Sequence, residues 1–247
     1  MCTLSVIATG TPGGFRVVHN RDELRSRAIG EAPAWRDVAG ADGVARRAIY
    51  PVDPDAGGTW IAARDDGVVY AILNVNPSAD AGSPAASRGR VISDLLARPA
   101  NAVLRHPDSE RMRSYRVVRV RRDGDAVVVE EHRSFGADRT DRRAVLDGPR
   151  VWVSSGLGDE AVEPRVRLFE AMVGGEGEGE GDPLAGAQDA YHRHVWADRP
   201  EISVLMSRGD ARTTAISTVD VGFGADGSAA VEMGYEAVPD DGGGRSG

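Results

Sequence analysis

The stretch "MCTLSVIATGTPGGFRVVHNRDE" (1–23) carries the strongest signal for the fold. Residues 2–9 are rich in β-branched side chains, which predicts a strand. "TPGG" (11–14) predicts a turn, and "FRVVH" (15–19) predicts a second strand that returns along the first. This hairpin would bring Asp22 and its neighbours close to Cys2, so it predicts a thiol and a carboxylate at one end of a sheet.

Cys2 is the single cysteine of the 247-residue chain, and it directly follows the initiator methionine. If Met1 is removed, a thiol and a free α-amine share one carbon atom. Their ordinary pKa values are about 8.5 and about 7.7–8.0, so moving a proton from thiol to amine costs only about 1 kcal/mol. Cys2 could therefore act as an N-terminal nucleophile that carries its own base. The alternative is that Cys2 is a small, buried hydrophobic residue.

Asp22, in "HNRDE" (19–23), is a candidate partner for Cys2. A carboxylate there could hold and orient the α-ammonium, as the third group of a catalytic triad orients the base. The alternative is a solvated, charged turn, which is the commoner role of such clusters. An ammonium and Arg21 beside the thiol would lower its pKa, so we expect Cys2 to be deprotonated near neutral pH.

The composition excludes several classes of function. The chain has 38 acidic and 30 basic residues and a net charge of −8, which argues against binding to nucleic acid or an anionic membrane. Every basic residue is arginine, so Schiff-base and lysine-nucleophile chemistry are excluded. One cysteine excludes an internal disulfide. We find neither an apolar run of about 20 residues nor a signal peptide, and we expect a cytoplasmic protein without a membrane span.

The remaining patterns predict a mixed α and β chain. The residues that follow the second predicted strand, up to about Gly58, are expected to be irregular, because they are rich in proline, glycine and charge. Hairpins are predicted over 59–75, 115–132 and 213–235, a strand over 151–155, and helices over 87–97 (with Ser87 as N-cap), 160–173 and 184–196. Hairpin connections favour antiparallel sheets with helices packed outside. We expect a single domain over 1–238, with a low-complexity loop at 174–182 and a disordered tail at 239–247.

No metal or other cofactor is predicted. The two histidines of "YHRHVW" (191–196) are two residues apart, so on a helix they would point in different directions. This spacing is poor for a shared metal ion, and we interpret the segment as a solvated helix end. The glycines of "TGTPGG" (9–14) lack the spacing of a phosphate-binding loop.

Several short motifs together resemble one family. "MCTL", "HNRDE", "GGTWIA", "GVVYAILN" and "SRG" occur in the order found in the NRDE family, relatives of the transport-and-Golgi-organisation proteins. The resemblance covers most of 1–97 and returns weakly at 153–159 and 211–220. That family is similar to N-terminal nucleophile hydrolases of the choloylglycine hydrolase and penicillin V acylase type. The resemblance thus implies an α+β fold, a four-layer αββα sandwich of two antiparallel sheets.

The resemblance also implies roles for individual residues. Cys2 matches the acylase nucleophile, Asp22 the aspartate that contacts the α-amine, and Asn74 the asparagine of the oxyanion hole. Arg21 stands where NRDE proteins place an arginine, whereas the acylases have theirs at the position of His19. Further matches are loose: Arg212 is the candidate for a late arginine that supports the cysteine, and the expected substrate contacts are His19, Asn20 and Ser155.

Two classes of function follow. The first is an amidohydrolase: Cys2 attacks a small amide, Asn74 stabilises the oxyanion, and the α-ammonium protonates the leaving amine. The second is a non-catalytic binding or trafficking protein that holds an amphipathic ligand, such as haem or an acyl lipid, in the same cleft. A retained Met1 would exclude the first, because it removes the free α-amine of Cys2. The identity of the ligand and the oligomeric state stay open.

Overall fold

Two antiparallel sheets form the frame of a computed structural model, which describes residues 2–76, 88–135, 138–174 and 183–240. The strands are β1 (Cys2–Ala8), β2 (Phe15–Leu24), β3 (Glu31–Ala39), β4 (Ala45–Val52), β5 (Ile61–Arg64), β6 (Val69–Asn74), β7 (Tyr115–Asp123), β8 (Ala126–Phe135), β9 (Asp138–Val145), β10 (Arg150–Ser154), β11 (Ala211–Phe223) and β12 (Ala229–Ala237). One sheet has the order β10-β1-β2-β11-β12, and the other runs from β3 to β9 in chain order.

Helices flank the two sheets. They are α1 (Arg90–Leu96), α2 (Glu163–Val173) and α3 (Pro183–His192), with short 3₁₀ turns at Ser109–Arg111, Asp159–Val162 and Pro200–Ile202. α1 packs against β5 and β6, whereas α2 and α3 pack against β10, β1 and β2. The predicted sandwich of two antiparallel sheets is therefore confirmed. No helix within the described ranges is long and apolar enough to cross a membrane.

β1 is buried on both of its faces, which explains why the opening stretch decides the fold. Leu4 and Val6 enter the main core between the sheets, whereas Ile7 packs with Phe169 and Tyr191 beneath the helices. β1 pairs with β2 on one side and with β10 on the other, and the predicted hairpin of β1 and β2 is confirmed. This register places Cys2 opposite both Arg21 and Ser154, at the end of the sheet.

A buried polar network fastens α3 to the sheet. Asn20 Nδ2 donates to the carbonyl oxygens of His192 (2.9 Å) and Val204 (3.0 Å), so its Oδ1 is left to accept from His192 Nδ1 (2.7 Å). His192 Nε2 then accepts from the Ser5 hydroxyl, 2.6 Å away. Burial holds the pKa of His192 well below its ordinary value, in agreement with this neutral ring. The expected solvated helix end is wrong, because α3 ends at His192 and that ring is completely buried.

The expectation of an irregular segment up to Gly58 is also wrong. β2 continues to Leu24, and β3 and β4 follow. The sequence pattern did not reveal β3 because it is an edge strand in which every residue is exposed or half-buried, and its charges and proline mask the strand pattern. β9 was missed for the same reason: its sequence, "DRTDRRAV", is polar on both faces, and pairing with β8 holds it in the sheet.

Three predictions fall wholly or partly outside the described residues: the N-cap at Ser87, most of the loop 174–182, and the tail beyond Asp240. The first two residues of the predicted tail are described. The carbonyl of Pro239 accepts a hydrogen bond from Arg212 (3.2 Å), and Asp240 pairs with Arg25.

Replacement of Asn20 should destabilise the fold. In Asn20→Ala, two buried carbonyls and one ring N–H lose their partners, so we expect the free energy of unfolding to fall by about 2–4 kcal/mol. Asn101→Ala is the matched control, because Asn101 is exposed and its loss should change stability by less than about 0.5 kcal/mol. Urea titration of both variants measures the difference. Equal stabilities would contradict a fastening role for Asn20.

Candidate active site

A cleft of about 360 Å³ opens at the end of the sandwich where β1 starts. Cys2 lines it together with the arginine and aspartate of the "NRDE" motif and with Asn74 at the end of β6. Cys2 and Asn74 belong to different sheets, so the stacking of the two sheets brings them to one cavity. A larger groove of about 710 Å³ lies among β8, β9, β10 and α2, but the described residues that line it include no cysteine, serine, threonine or histidine.

Cys2 is almost buried, with 7 % of its surface exposed. Its backbone nitrogen donates to the Ser154 hydroxyl oxygen, 3.0 Å away. Burial raises the pKa of the Cys2 thiol, and the charges of Asp22 and Glu23 add to that rise. This rise belongs to the chain with Met1 in place. The expectation of a thiolate near neutral pH concerns Cys2 with a free α-ammonium, and it stays a prediction.

The glycine motifs shape the opposite wall. A Cβ on Gly58 would lie 2.5 Å from the carbonyl oxygen of Gly89, so only glycine allows this approach. The "GGTW" turn thus packs directly on the start of α1, and the Thr59 amide donates to the same carbonyl (3.4 Å). Trp60, the next residue, is buried and lines the cleft. Two motifs 31 positions apart in sequence, at Gly58 and Gly89, therefore form one structural element.

Asp22 is held by a buried arginine from the helix layer. Its carboxylate accepts a hydrogen bond from the Thr213 hydroxyl (2.7 Å) and lies 3.4 Å from Arg165 Nη1. Arg165 also donates to the Thr3 hydroxyl (2.9 Å) and to the Ile202 carbonyl (3.0 Å). The alternative of a solvated turn residue is wrong, because both charged side chains are fully buried. A role of Asp22 toward the α-amine stays a prediction.

Arg21 forms part of the cleft wall. Its guanidinium stacks on Trp60, 4.6 Å from the ring centroid, and donates to Asp53 (2.8 Å). It also donates to the Thr214 hydroxyl, 3.3 Å away. These contacts fix the side chain in one orientation beside Cys2, its partner in the β-ladder.

Neither His19 nor Asn20 lines the cleft. His19 is completely buried, and burial lowers its pKa to about 3. Asn20 belongs to the network that fastens α3. Neither residue is therefore placed to contact a ligand in this cleft.

Ser155 and Arg212 also lie away from the cleft lining. The Ser155 hydroxyl accepts from the Leu157 amide (3.1 Å), and its carbonyl accepts from Asn76 Nδ2 (2.7 Å). Arg212 donates to the carbonyls of Thr213 (3.1 Å) and Val238 (2.6 Å), so it anchors the end of the described chain. The neighbour of Ser155, Ser154, is the residue that contacts Cys2.

Sequence reasoning missed Ser154 and Arg165. Nothing local distinguishes Ser154 from Ser155, because the difference arises from the register of β10 against β1. The sequence of α2 does contain a signal for Arg165. It lies on the same helical face as Val162, Phe169 and Val173, so a charge interrupts an otherwise apolar stripe. Such a position predicts a buried partner for the guanidinium.

Fold and site together define a two-sheet α+β sandwich with a cysteine in a cleft, at the start of β1, an interior strand of the five-stranded sheet. Residues 1–135 match the model of the family described as Transport and Golgi organisation 2. The match spans more than half of the chain, and the protein belongs to this family. The resemblance carried by the sequence motifs is thereby confirmed.

Comparison with solved structures gives distant likenesses. The chain is similar to a Caenorhabditis elegans ortholog of N-acylethanolamine-hydrolyzing acid amidase, with 10 % identity, a TM-score of 0.49, and 87 % of this chain and 91 % of that chain covered. It is also similar to a variant of the conjugated bile acid hydrolase from Clostridium perfringens, with 11 % identity, a TM-score of 0.39, and coverage of 95 % and 97 %. No curated protein matches this chain.

Asp22→Asn should lower stability, because it leaves the buried Arg165 guanidinium without its counter-charge. We expect the free energy of unfolding to fall by about 3 kcal/mol, the range found when one partner of a buried pair is removed. Asp37→Asn is the control, since that carboxylate is 95 % exposed and its change should cost less than about 0.5 kcal/mol. Urea denaturation measures the free energy of unfolding of both variants. If Asp22→Asn loses no more of it than the control does, the stabilising role of the buried pair of Asp22 and Arg165 is contradicted.

His19 should make the fold sensitive to acid. An unfolded histidine has a pKa of 6.5, whereas buried His19 has one of about 3, so between these values only the unfolded chain takes up the proton. The free energy of unfolding should fall as the pH drops through this window, by up to about 1.4 kcal/mol per pH unit for this residue. In His19→Leu that slope should be shallower. Identical slopes in the two proteins, measured by urea titration at several pH values, would rule out the neutral buried ring.

Proposed function

We propose that the protein is an amidohydrolase whose nucleophile is the Cys2 thiol after removal of Met1. The observation that carries the proposal is the convergence of Cys2, Arg21 and Asn74 on one cleft from two different sheets. A volume of about 360 Å³ is near the low end for small-molecule sites, so it suits a small amide.

The chemistry begins with proton transfer from the thiol to the α-amine of Cys2. The thiolate attacks the amide carbonyl carbon, and the C–S bond forms as the carbonyl oxygen becomes an oxyanion. A side-chain N–H from Asn74 would stabilise that oxyanion, a contribution worth about 10²–10³ in rate. The C–N bond then breaks, and the leaving amine takes the proton held by the α-ammonium. Water hydrolyses the resulting thioester, which releases the acid and restores Cys2.

Ser154 supports this mechanism because it already contacts the relevant nitrogen. Cys2 N donates to its hydroxyl oxygen (3.0 Å), and the hydroxyl donates in turn to the Cys2 carbonyl (3.4 Å). After removal of Met1 the same nitrogen is the α-amine. A fixed hydrogen bond on one of its N–H groups would set the direction of its lone pair, and the raised pKa of the buried thiol makes such an adjacent base necessary.

The second candidate is a binding protein for an amphipathic ligand that uses the cleft without chemistry. The raised pKa of Cys2 favours it, because a protonated thiol is a weak nucleophile. The two candidates differ in one respect that can be measured, namely whether the thiol is activated by a free amine on its own residue.

The test follows acylation of Cys2 by 4-nitrophenyl acetate, using intact mass and release of nitrophenol. We expect the isolated protein to begin at Cys2, to gain one acetyl group and to lose it again with turnover. Insertion of alanine between Met1 and Cys2 keeps the thiol but removes its α-amine, and should slow acylation at least about 100-fold. Asn74→Ala should slow it by about 10²–10³, while Asn101→Ala, outside the cleft, should not.

Two outcomes would contradict the amidohydrolase. One is retention of Met1 in most molecules. The other is equal acylation of the native chain and the alanine-insertion variant, which would show that the α-amine takes no part. Either result favours the binding protein. Cys2→Ala supplies the baseline, since the chain has no other thiol that could take the acetyl group.

A further inference from the structure

The thiol and the candidate oxyanion donor are held by different sheets. Asn74 ends β6, and pairing of β6 with β7 fixes its place in the seven-stranded sheet. Cys2 starts β1, and its pairing with Ser154 of β10 fixes its place in the five-stranded sheet. Neither ladder fixes the distance between the two sheets. The separation of Cys2 from Asn74 therefore depends on contacts that cross from one sheet to the other.

One such contact joins the ends of β6 and β10. Asn76, two residues beyond Asn74, donates from its Nδ2 to the carbonyl oxygen of Ser155, 2.7 Å away. Ser155 directly follows Ser154, whose hydroxyl oxygen accepts from the nitrogen of Cys2 (3.0 Å). This hydrogen bond between the sheets thus lies two residues from the candidate oxyanion donor and one residue from the partner of the nucleophile.

Asp159 holds both sides of this link. Its Oδ1 accepts from the backbone amide of Ser155 (3.1 Å), and its carboxylate also interacts with the backbone amide of Asn76. Asp159 begins the 3₁₀ turn that leads into α2, so this carboxylate comes from the start of the helix layer. Asn76, Ser155 and Asp159 therefore contact one another in pairs and close the gap between β6 and β10.

From these contacts we infer that Asn76 is a positioning residue of the candidate active site, whose hydrogen bond to Ser155 sets the separation of Cys2 from Asn74. A donor stabilises an oxyanion from about 2.7–3.1 Å, and a misplacement of about 1 Å can cost about 100-fold in rate. A link between the sheets so close to both groups controls that distance. The inference rests on the proposed function, because it takes Asn74 as the oxyanion donor.

The test compares two reactions of Cys2 that differ in their need for an oxyanion donor. 4-Nitrophenyl acetate reacts through a tetrahedral oxyanion, whereas iodoacetamide is attacked at its methylene carbon and forms none. Intact mass follows both reactions under the same conditions. In Asn76→Ala we expect acylation to be at least about tenfold slower than in the native protein, and alkylation to stay within about twofold of it. The alkylation rate also shows that the thiol keeps its reactivity in the variant.

A double variant separates positioning from a merely structural role. Once the oxyanion donor is absent its position has no effect, so Asn74→Ala/Asn76→Ala should acylate at the rate of Asn74→Ala alone. Asn101→Ala is the matched control, because Asn101 is exposed and outside the cleft, and both of its rates should equal those of the native protein. Asp159→Ala weakens the same link from its other partner and should also slow acylation selectively. It takes the place of Asn76→Ala if that variant does not fold.

Three outcomes would overturn the inference and leave the amidohydrolase standing. They are an unchanged acylation rate in Asn76→Ala, an equal fall of its acylation and alkylation rates, and losses that add in the double variant. A different result contradicts the proposed function itself: native acylation no faster than that of Asn74→Ala would show that Asn74 stabilises no oxyanion. The positioning role of Asn76 would then be refuted with it.

Discussion

The position of β1 between β2 and β10 is the constraint on which the rest of the molecule depends. A strand with neighbours on both edges and packing on both faces has a fixed register, because a slip of one residue would exchange its core and helix-facing side chains. That register sets Cys2 opposite Arg21 and Ser154. The geometry of the cleft is therefore decided by the same pairing that forms the five-stranded sheet.

Polar side chains do much of the packing on the helix side of this sheet. Apolar packing there is limited to a small cluster around Phe169 and Tyr191. The remaining contacts are directional: His192 with Ser5 and Asn20, and Arg165 with Asp22. Each is fully buried and costly to break, so the helix layer has one allowed placement rather than several. The aspartate of the candidate site is thereby held from the side opposite the cleft.

The sequence predicts the local parts of this arrangement well. Cys2 and Asp22 meet because one short turn joins two strongly patterned strands, and each step of that reasoning uses neighbouring residues. Asn74 followed from the family resemblance and lines the same cleft. Strands such as β3 and β9 could not be predicted from the sequence. Their own side chains contribute little to their stability, which comes from pairing with the neighbouring strands. The buried role of Asn20 was hidden too, since its partners His192 and Val204 lie more than 170 positions away.

The burial of a lone thiol also bears on oxidation. Peroxides react with the thiolate, so a raised pKa shields Cys2 from the damage that an exposed, activated cysteine would suffer. If a sulfenic acid does form, the chain has no second cysteine to condense with it. Its reduction then depends on an external thiol, and a cleft of about 360 Å³ is large enough for a small-molecule thiol.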